Sequence, residues 1–224
     1  MSRYELAVFS NPKEGRETEY NDWYSNVHLH DILAVPGYSS AQRFKCQIRA
    51  VGDIRHDWLA IYEMDVETAE EAKKAVDSLS LVEMVISDAL ERDGLACALI
   101  ETCGPPVEEN PDSMTGPYRL VALTNAAPGR ETDFNEWYDD VHMPEVADAP
   151  GFTWGERYKA RQVVAGEVPN PYFAFYGMEA ANLEGAGAAL HGLSTSNLTM
   201  TDAAGDGGAL AIYEAVTERL TARG

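Results

Sequence analysis

The chain writes one long stretch twice. Asn11 to Lys45, NPKEGRETEYNDWYSNVHLHDILAVPGYSSAQRFK, recurs without a gap as Asn125 to Lys159, NAAPGRETDFNEWYDDVHMPEVADAPGFTWGERYK, at a constant offset of 114 residues. Gly15, Arg16, Glu17, Thr18, Asn21, Trp23, Tyr24, Val27, His28, Pro36, Gly37, Arg43 and Lys45 all return at that offset, from Gly129 to Lys159. Such a period is too long for a solenoid, so each copy reads as one small domain or half of a shared one. The 224 residues therefore divide into residues 1–104, a linker over 105–117 and residues 118–224, a tandem duplication whose halves are each large enough to bury a core. The linker reading rests on the proline, glycine and acid of GPPVEENPDSMTGP, from Gly104 to Pro117.

Within the first half, YELAVFS (Tyr4 to Ser10) alternates like a strand. Gly15 to Val35 has helical spacing, with Tyr20, Trp23, Tyr24, Val27 and Asp31 on one face and a stop at Val35-Pro36-Gly37. Strands follow over 38–47 and 57–64. A helix over 68–89 is opened by a Thr68/Glu71 capping box and interrupted near 78–80, and LACALIET closes the half. The second half repeats this order: a strand over 118–125, a helix over 130–149, strands near 152–160 and 172–179, a helix over 183–193 and a strand over 209–216. Gly185, Gly187 and Gly192 predict that the last helix is short or loose, since an interior glycine costs roughly 1 kcal/mol against alanine. The order β-α-β-β-α-β is the ferredoxin-like arrangement, which leaves one sheet face bare. Two such faces in one chain can cover each other, so the predicted fold is α+β, two ferredoxin-like repeats closing into one intramolecular α+β barrel, an internal pseudo-dimer.

A formal net charge of −20 with no Lys/Arg run argues against nucleic acid as a partner. No stretch approaches the ~20 apolar residues of a membrane span, and MSRYELAVFS lacks the pattern of a signal peptide. Cys46, Cys97 and Cys103 are odd in number and fit no metal or redox spacing, which reads as free thiols in a cytoplasmic protein. No P-loop, G-x-G-x-x-G, G-x-S-x-G or H-E-x-x-H is present.

The segments WYSNVHLHD (Trp23 to Asp31) with PGY (Pro36 to Tyr38), and WYDDVHMPE (Trp137 to Glu145) with PGF (Pro150 to Phe152), resemble the dimeric α+β barrel superfamily and, within it, the EthD-like proteins. The resemblance covers essentially the whole chain, once per half. Most relatives build the barrel from two subunits; this chain looks like both fused, with room for a further homodimer. The resemblance implies a small-molecule substrate, commonly an apolar aromatic acid, and relatives that include lactone isomerases, polyketide cyclases, decarboxylases and cofactor-free oxygenases.

On a projection of 100° per residue, Asn21, Tyr24, His28 and Asp31 lie along one side of the first helix, and Asn135, Tyr138, His142 and Glu145 repeat that line. A carboxylate three residues after a histidine can fix one ring proton and leave the other nitrogen for proton transfer, while the plainer use of the same ring is packing. Arg43 and Arg157 sit among small residues on the second strand of each half, suited to a bound carboxylate or phenolate, or to an internal salt bridge with Asp31 or Glu145. Tyr62 and Tyr176 offer hydroxyls for oxyanion stabilisation or core packing. Ser40, Leu59 and Ile61 are replaced at the offset by Trp154, Phe173 and Phe175, so the second half is more aromatic, and Trp154 suggests an aromatic or polycyclic ligand. His28 and His30 point about 200° apart on one helix, and Pro144 stands where His30 would recur, so no metal site is read. The expected function is a cofactor-independent lyase or isomerase working by histidine-mediated proton transfer. A cofactor-free or haem-dependent oxygenase is the first alternative, and a non-catalytic ligand-binding barrel the second.

Overall fold

The computed structural model describes residues 2–107 and 116–222, so most of the expected linker, residues 108–115, lies outside the described residues. The first half runs β1 (Tyr4–Pro12), α1 (Glu17–Trp23), α2 (Leu29–Leu33), β2 (Tyr38–Val51), β3 (Trp58–Met64), α3 (Ala69–Ser78) and β4 (Leu90–Thr102). The second runs β5 (Tyr118–Thr124), α4 (Glu131–Trp137), α5 (Met143–Ala147), β6 (Phe152–Ala165), β7 (Tyr172–Met178), α6 (Leu183–Thr195), β8 (Ala209–Ala215) and a short β9 (Leu220–Thr221).

Across the sheet the first half reads β2-β3-β1-β4 and the second β6-β7-β5-β8. The pairs β4–β6 and β2–β8 join the halves, so eight antiparallel strands close into a barrel. Because side chains alternate across a strand, each strand serves two cores. Leu6, Tyr62 and Leu99 face the helices of the first half, and Leu120, Tyr176 and Ile212 those of the second. Phe9, Phe44, Ile61, Ile100, Tyr158, Phe173, Phe175 and Tyr213 point inward and fill the barrel. The expected closure of two bare sheet faces on each other is therefore what the strands do.

Two helices differ from expectation. The capping box forms: Thr68 Oγ1 accepts from Glu71 N–H at 3.2 Å and Glu71 Oε2 from Thr68 N–H at 3.1 Å. The helix nevertheless stops at Ser78 rather than reaching Ala89, where Ser78 Oγ donates to the Lys74 carbonyl and Ser80 Oγ to that of Asp77. Serine hydroxyls that bond nearby backbone compete with helix continuation. Conversely α6 spans 13 residues against 10 for α3, despite its glycines. Asn182 caps it through Gly185 N–H at 2.9 Å, and Ala186, Leu190 and Leu193 are buried, so packing outweighs the propensity cost.

Candidate functional site

The repeated Trp-Tyr-x-x-Val-His segment is not continuous α-helix. Leu29 N–H bonds the Tyr24 carbonyl, and Met143 N–H that of Tyr138, which makes Tyr24–His28 and Tyr138–His142 π-helical turns between α1 and α2 and between α4 and α5. Such insertions occur mostly as single turns, frequently at functional sites. The wider turn stacks His28 on Trp23, five residues earlier, at 4.6 Å between ring centroids, with Tyr24 edge-on at 5.0 Å. His142 repeats this with Trp137 at 4.6 Å and Tyr138 at 4.9 Å.

Beneath each turn lies a buried guanidinium. Arg43 reaches up from β2 under the faces of Tyr24 (4.4 Å), Trp58 (4.7 Å) and Tyr20 (5.1 Å), donating to Ser25 Oγ at 2.7 Å and Asn21 Oδ1 at 2.9 Å. Tyr62 donates its hydroxyl to Tyr24 at 3.3 Å, and Tyr38 stands edge-on to Tyr62 with its own buried hydroxyl unpartnered. In the second half Arg157 lies under Tyr138 at 4.1 Å and donates to Asn135 at 2.8 Å, and Tyr176 donates to Tyr138 at 3.2 Å. Burial holds all four phenols, Tyr24, Tyr62, Tyr138 and Tyr176, above the ordinary tyrosine range, so they are neutral hydrogen-bonding groups.

The structure thus brings Tyr24, His28, Arg43 and Tyr62 together in one helix–sheet layer and Tyr138, His142, Arg157 and Tyr176 in the other. It does not bring the carboxylates into hydrogen bonds with them. No hydrogen bond or ion pair joins Asp31 to His28 or Arg43 among the described residues, and Glu145 accepts instead from Thr199 N–H (2.8 Å) and Oγ1 (2.6 Å). The projection at 100° per residue misplaced Asp31 and Glu145 because the π-turn adds a residue before them. Nδ1 of each histidine is buried without a partner. Burial, with Arg43 nearby, pushes His28 down to about 4; burial likewise lowers His142 to about 4, opposed by Glu145. Both rings are neutral at neutral pH.

A difference in charge breaks the symmetry. Where the first half has Ser25, the second has Asp139, which ion-pairs with Arg157. Arg43 has only the neutral Ser25 and Asn21. The first half therefore keeps a buried cation without a carboxylate, beside a neutral imidazole and a row of phenols. Among the described residues no cluster of three His, Cys, Asp or Glu groups is arranged to hold a metal ion. An open hollow on the outside of the second half, lined by Ala149, Pro150, Ala189, Gly192 and Leu193, carries no titratable group.

No family model and no curated protein matches the chain. Among solved structures it is similar to an anthrone oxidase-like protein (12% identity, TM-score 0.56, covering 100% of this chain and 94% of that one). It is also similar to a candidate monooxygenase of Fusobacterium nucleatum (10%, 0.51, covering 100% and 95%) and to a heme-binding protein of Thermus thermophilus (11%, 0.51, covering 97% and 93%). The fold is that of the dimeric α+β barrels. At these identities the likeness concerns the fold.

Against that fold the remaining candidate, Trp154, stands apart: it points into the barrel with Tyr158 and Phe175, on the opposite face of the wall from the histidine layers. The imidazoles lie outside the barrel, under the helices, and its interior is filled by aromatic side chains. Sequence reasoning also passed over Arg119, Glu5 and Glu156, which face inward and are almost fully buried. Charged residues in the inward register of apolar strands were the available signal.

Proposed function

We propose that the protein is a cofactor-independent enzyme acting on a small aromatic acid or phenol, with its working site in the helix–sheet layer of the first half. The observation that carries this reading is the buried Arg43 without a carboxylate, where the second half supplies Asp139. A buried cation with only neutral partners favours an anionic guest. In this reading Arg43 holds the substrate's carboxylate or phenolate. Neutral His28 takes a proton through its free nitrogen, its basicity rising when the guest's negative charge offsets the field of Arg43. Tyr24 and Tyr62 donate to the developing oxyanion. Return of the proton at another atom gives isomerase chemistry, and departure of a leaving group such as water from the neighbouring carbon, as the carbanion's electron pair forms the new double bond, gives lyase chemistry, of the EthD-like kind. Each half then derives from one ancestral ferredoxin-like subunit.

A haem does not fit this site. Nδ1 of His28 is buried, and Tyr20, Tyr62, Trp58 and Arg43 pack beneath the same turn, so this nitrogen is not presented to an iron. The second reading is a cofactor-free oxygenase, favoured by the likeness to an anthrone oxidase-like protein and a candidate monooxygenase. It begins with the same deprotonation and then passes the carbanion's electrons to dioxygen. Oxygen uptake during turnover separates the two.

The test is a pair of swaps. Screened against aromatic and polycyclic acids and phenols by absorbance, Ser25→Asp should lose at least a hundredfold in kcat/KM while remaining folded, because its carboxylate takes the guest's place on Arg43. Asp139→Ser should retain turnover. Full activity in Ser25→Asp overturns the reading.

A further inference from the structure

The barrel interior holds a second unmet charge, independent of the site above. Arg119 projects inward from β5, 2% exposed, with its guanidinium over Phe44 at 4.3 Å and Trp154 at 5.6 Å. Its one hydrogen bond is a long one, from Nη2 to Gln42 Oε1 at 3.4 Å. Nε and Nη1 have no partner, and no carboxylate lies within ion-pair distance among the described residues. Trp154 Nε1, on the ring that Arg119 faces, is also buried without a partner, as is Ser40 Oγ, two residues before Gln42 on β2. Unmet buried donors of this kind are costly and rare in a folded protein.

The nearby carboxyls do not neutralise Arg119, and counting hydrogens shows why. The Tyr158 hydroxyl lies 2.7 Å from Glu5 Oε1 and 2.6 Å from Glu156 Oε2. A phenol brings a single proton and cannot donate to both. The second proton belongs to a carboxyl. Glu156 is paired with Arg3, whereas Glu5 is enclosed with no cation at ion-pair distance among the described residues, so Glu5 is the acid, donating to Tyr158, which donates to Glu156. Glu63 is taken by Arg219. With Glu5 neutral, the interior retains the positive charge of Arg119.

We propose that the inside of the barrel beside Arg119 binds a small carboxylate, held by Arg119 Nε and Nη1 with Trp154 Nε1 and Ser40 Oγ as further donors. The rings of Phe44, Tyr158, Phe173 and Phe175 crowd this interior, so the guest proposed is the smallest carboxylate, formate or acetate.

The groups facing Glu5 are Tyr158 and Glu156 from β6, Glu63 from β3 and Arg119 from β5; burial, with Glu63 and Glu156, pushes Glu5 up to about 8. Above that pH Glu5 becomes the internal counter-charge of Arg119 and expels the guest. The experiment is a titration of the intact protein with ¹³C-formate, followed by formate line width at constant ionic strength set with chloride. Saturable broadening at pH 7 is expected, at least tenfold weaker in Trp154→Phe and absent in Arg119→Gln. Affinity should fall tenfold or more by pH 9.5 in the wild type and hold in Glu5→Gln. The proposal is overturned if the wild type shows no saturable broadening, or if crystals grown in formate show only water on Arg119. Should Arg119→Gln fail to fold, unchanged binding in Trp154→Phe with the same pH profile in Glu5→Gln overturns it equally.

Discussion

At the scale of single residues, three buried groups set how stability depends on pH, and they pull in opposite directions. His28 and His142 have folded pKa values near 4, below the ordinary 6.5, so the folded state favours the neutral rings. Their contribution is complete above pH 6.5 and is lost as pH falls towards 4, where protonation works against burial. Each ring accounts for at most about 3 kcal/mol by that shift, less after allowance for its partial contact with water. Glu5 has the other sign. Its folded pKa, near 8, lies above the ordinary 4.5, so its contribution is present below pH 4.5 and drains away as pH rises through 8. Urea-unfolding midpoints of the wild type should therefore peak in mildly acidic solution. His28→Phe combined with His142→Phe should flatten the limb between pH 4 and 6.5, and Glu5→Gln the limb between pH 4.5 and 8. An unchanged acid limb in the double variant would show that the imidazoles are not held neutral.

At the scale of elements, the hydropathic pattern announced β-α-β-β-α-β in both halves, and the strands fall within a few residues of expectation. The π-turn was not legible, because it rests on one backbone bond shifting from i−4 to i−5, which leaves the apolar spacing of Tyr20, Trp23 and Tyr24 almost unaltered. That single residue carried the error over Asp31 and Glu145. Strand alternation likewise put Arg43 on one face of its strand, but alternation alone does not say whether a face meets helices or the opposite sheet. Asp139 was readable as a substitution of Ser25 and was missed because its partner, Arg157, is 18 residues away on another element. The π-turn can be tested directly. Deleting Val27, which is 40% exposed, should reset the segment to α-helical bonding, bring the His28 ring to four residues after Trp23, shift it along the indole and so alter, without abolishing, the near-UV dichroism of that pair. A stability loss of about 1–3 kcal/mol is expected with the fold kept. A near-UV spectrum identical to wild type would mean that the turn does not position the ring.

At the scale of the molecule, the barrel belongs to neither half. Its interior draws Phe9, Phe44, Ile61 and Ile100 from the first and Trp154, Tyr158, Phe173 and Phe175 from the second, and the seams β4–β6 and β2–β8 pair strands between them. Each half by itself would expose one whole apolar sheet face and two unpaired strand edges, a surface that soluble monomers do not leave open. The full chain should then unfold as one cooperative unit, with tryptophan fluorescence, which reports Trp23 and Trp58 in one half and Trp137 and Trp154 in the other, tracing the same transition as far-UV dichroism. A fragment of residues 1–104 should not persist as a monomer. The same argument that closes the chain on itself predicts that the fragment pairs with a second copy, β4 of one against β2 of the other, so its sedimentation should report a dimer, or aggregate where pairing fails. Addition of residues 118–224 should displace that pairing in favour of the native partner, because only the second half supplies the inward Tyr158, which bonds Glu5, and the inward Arg119, which bonds Gln42. A folded, monomeric first half with native near-UV dichroism would show instead that each sheet is stable with its inner face in water, and that closure of the barrel serves the interior site rather than the fold.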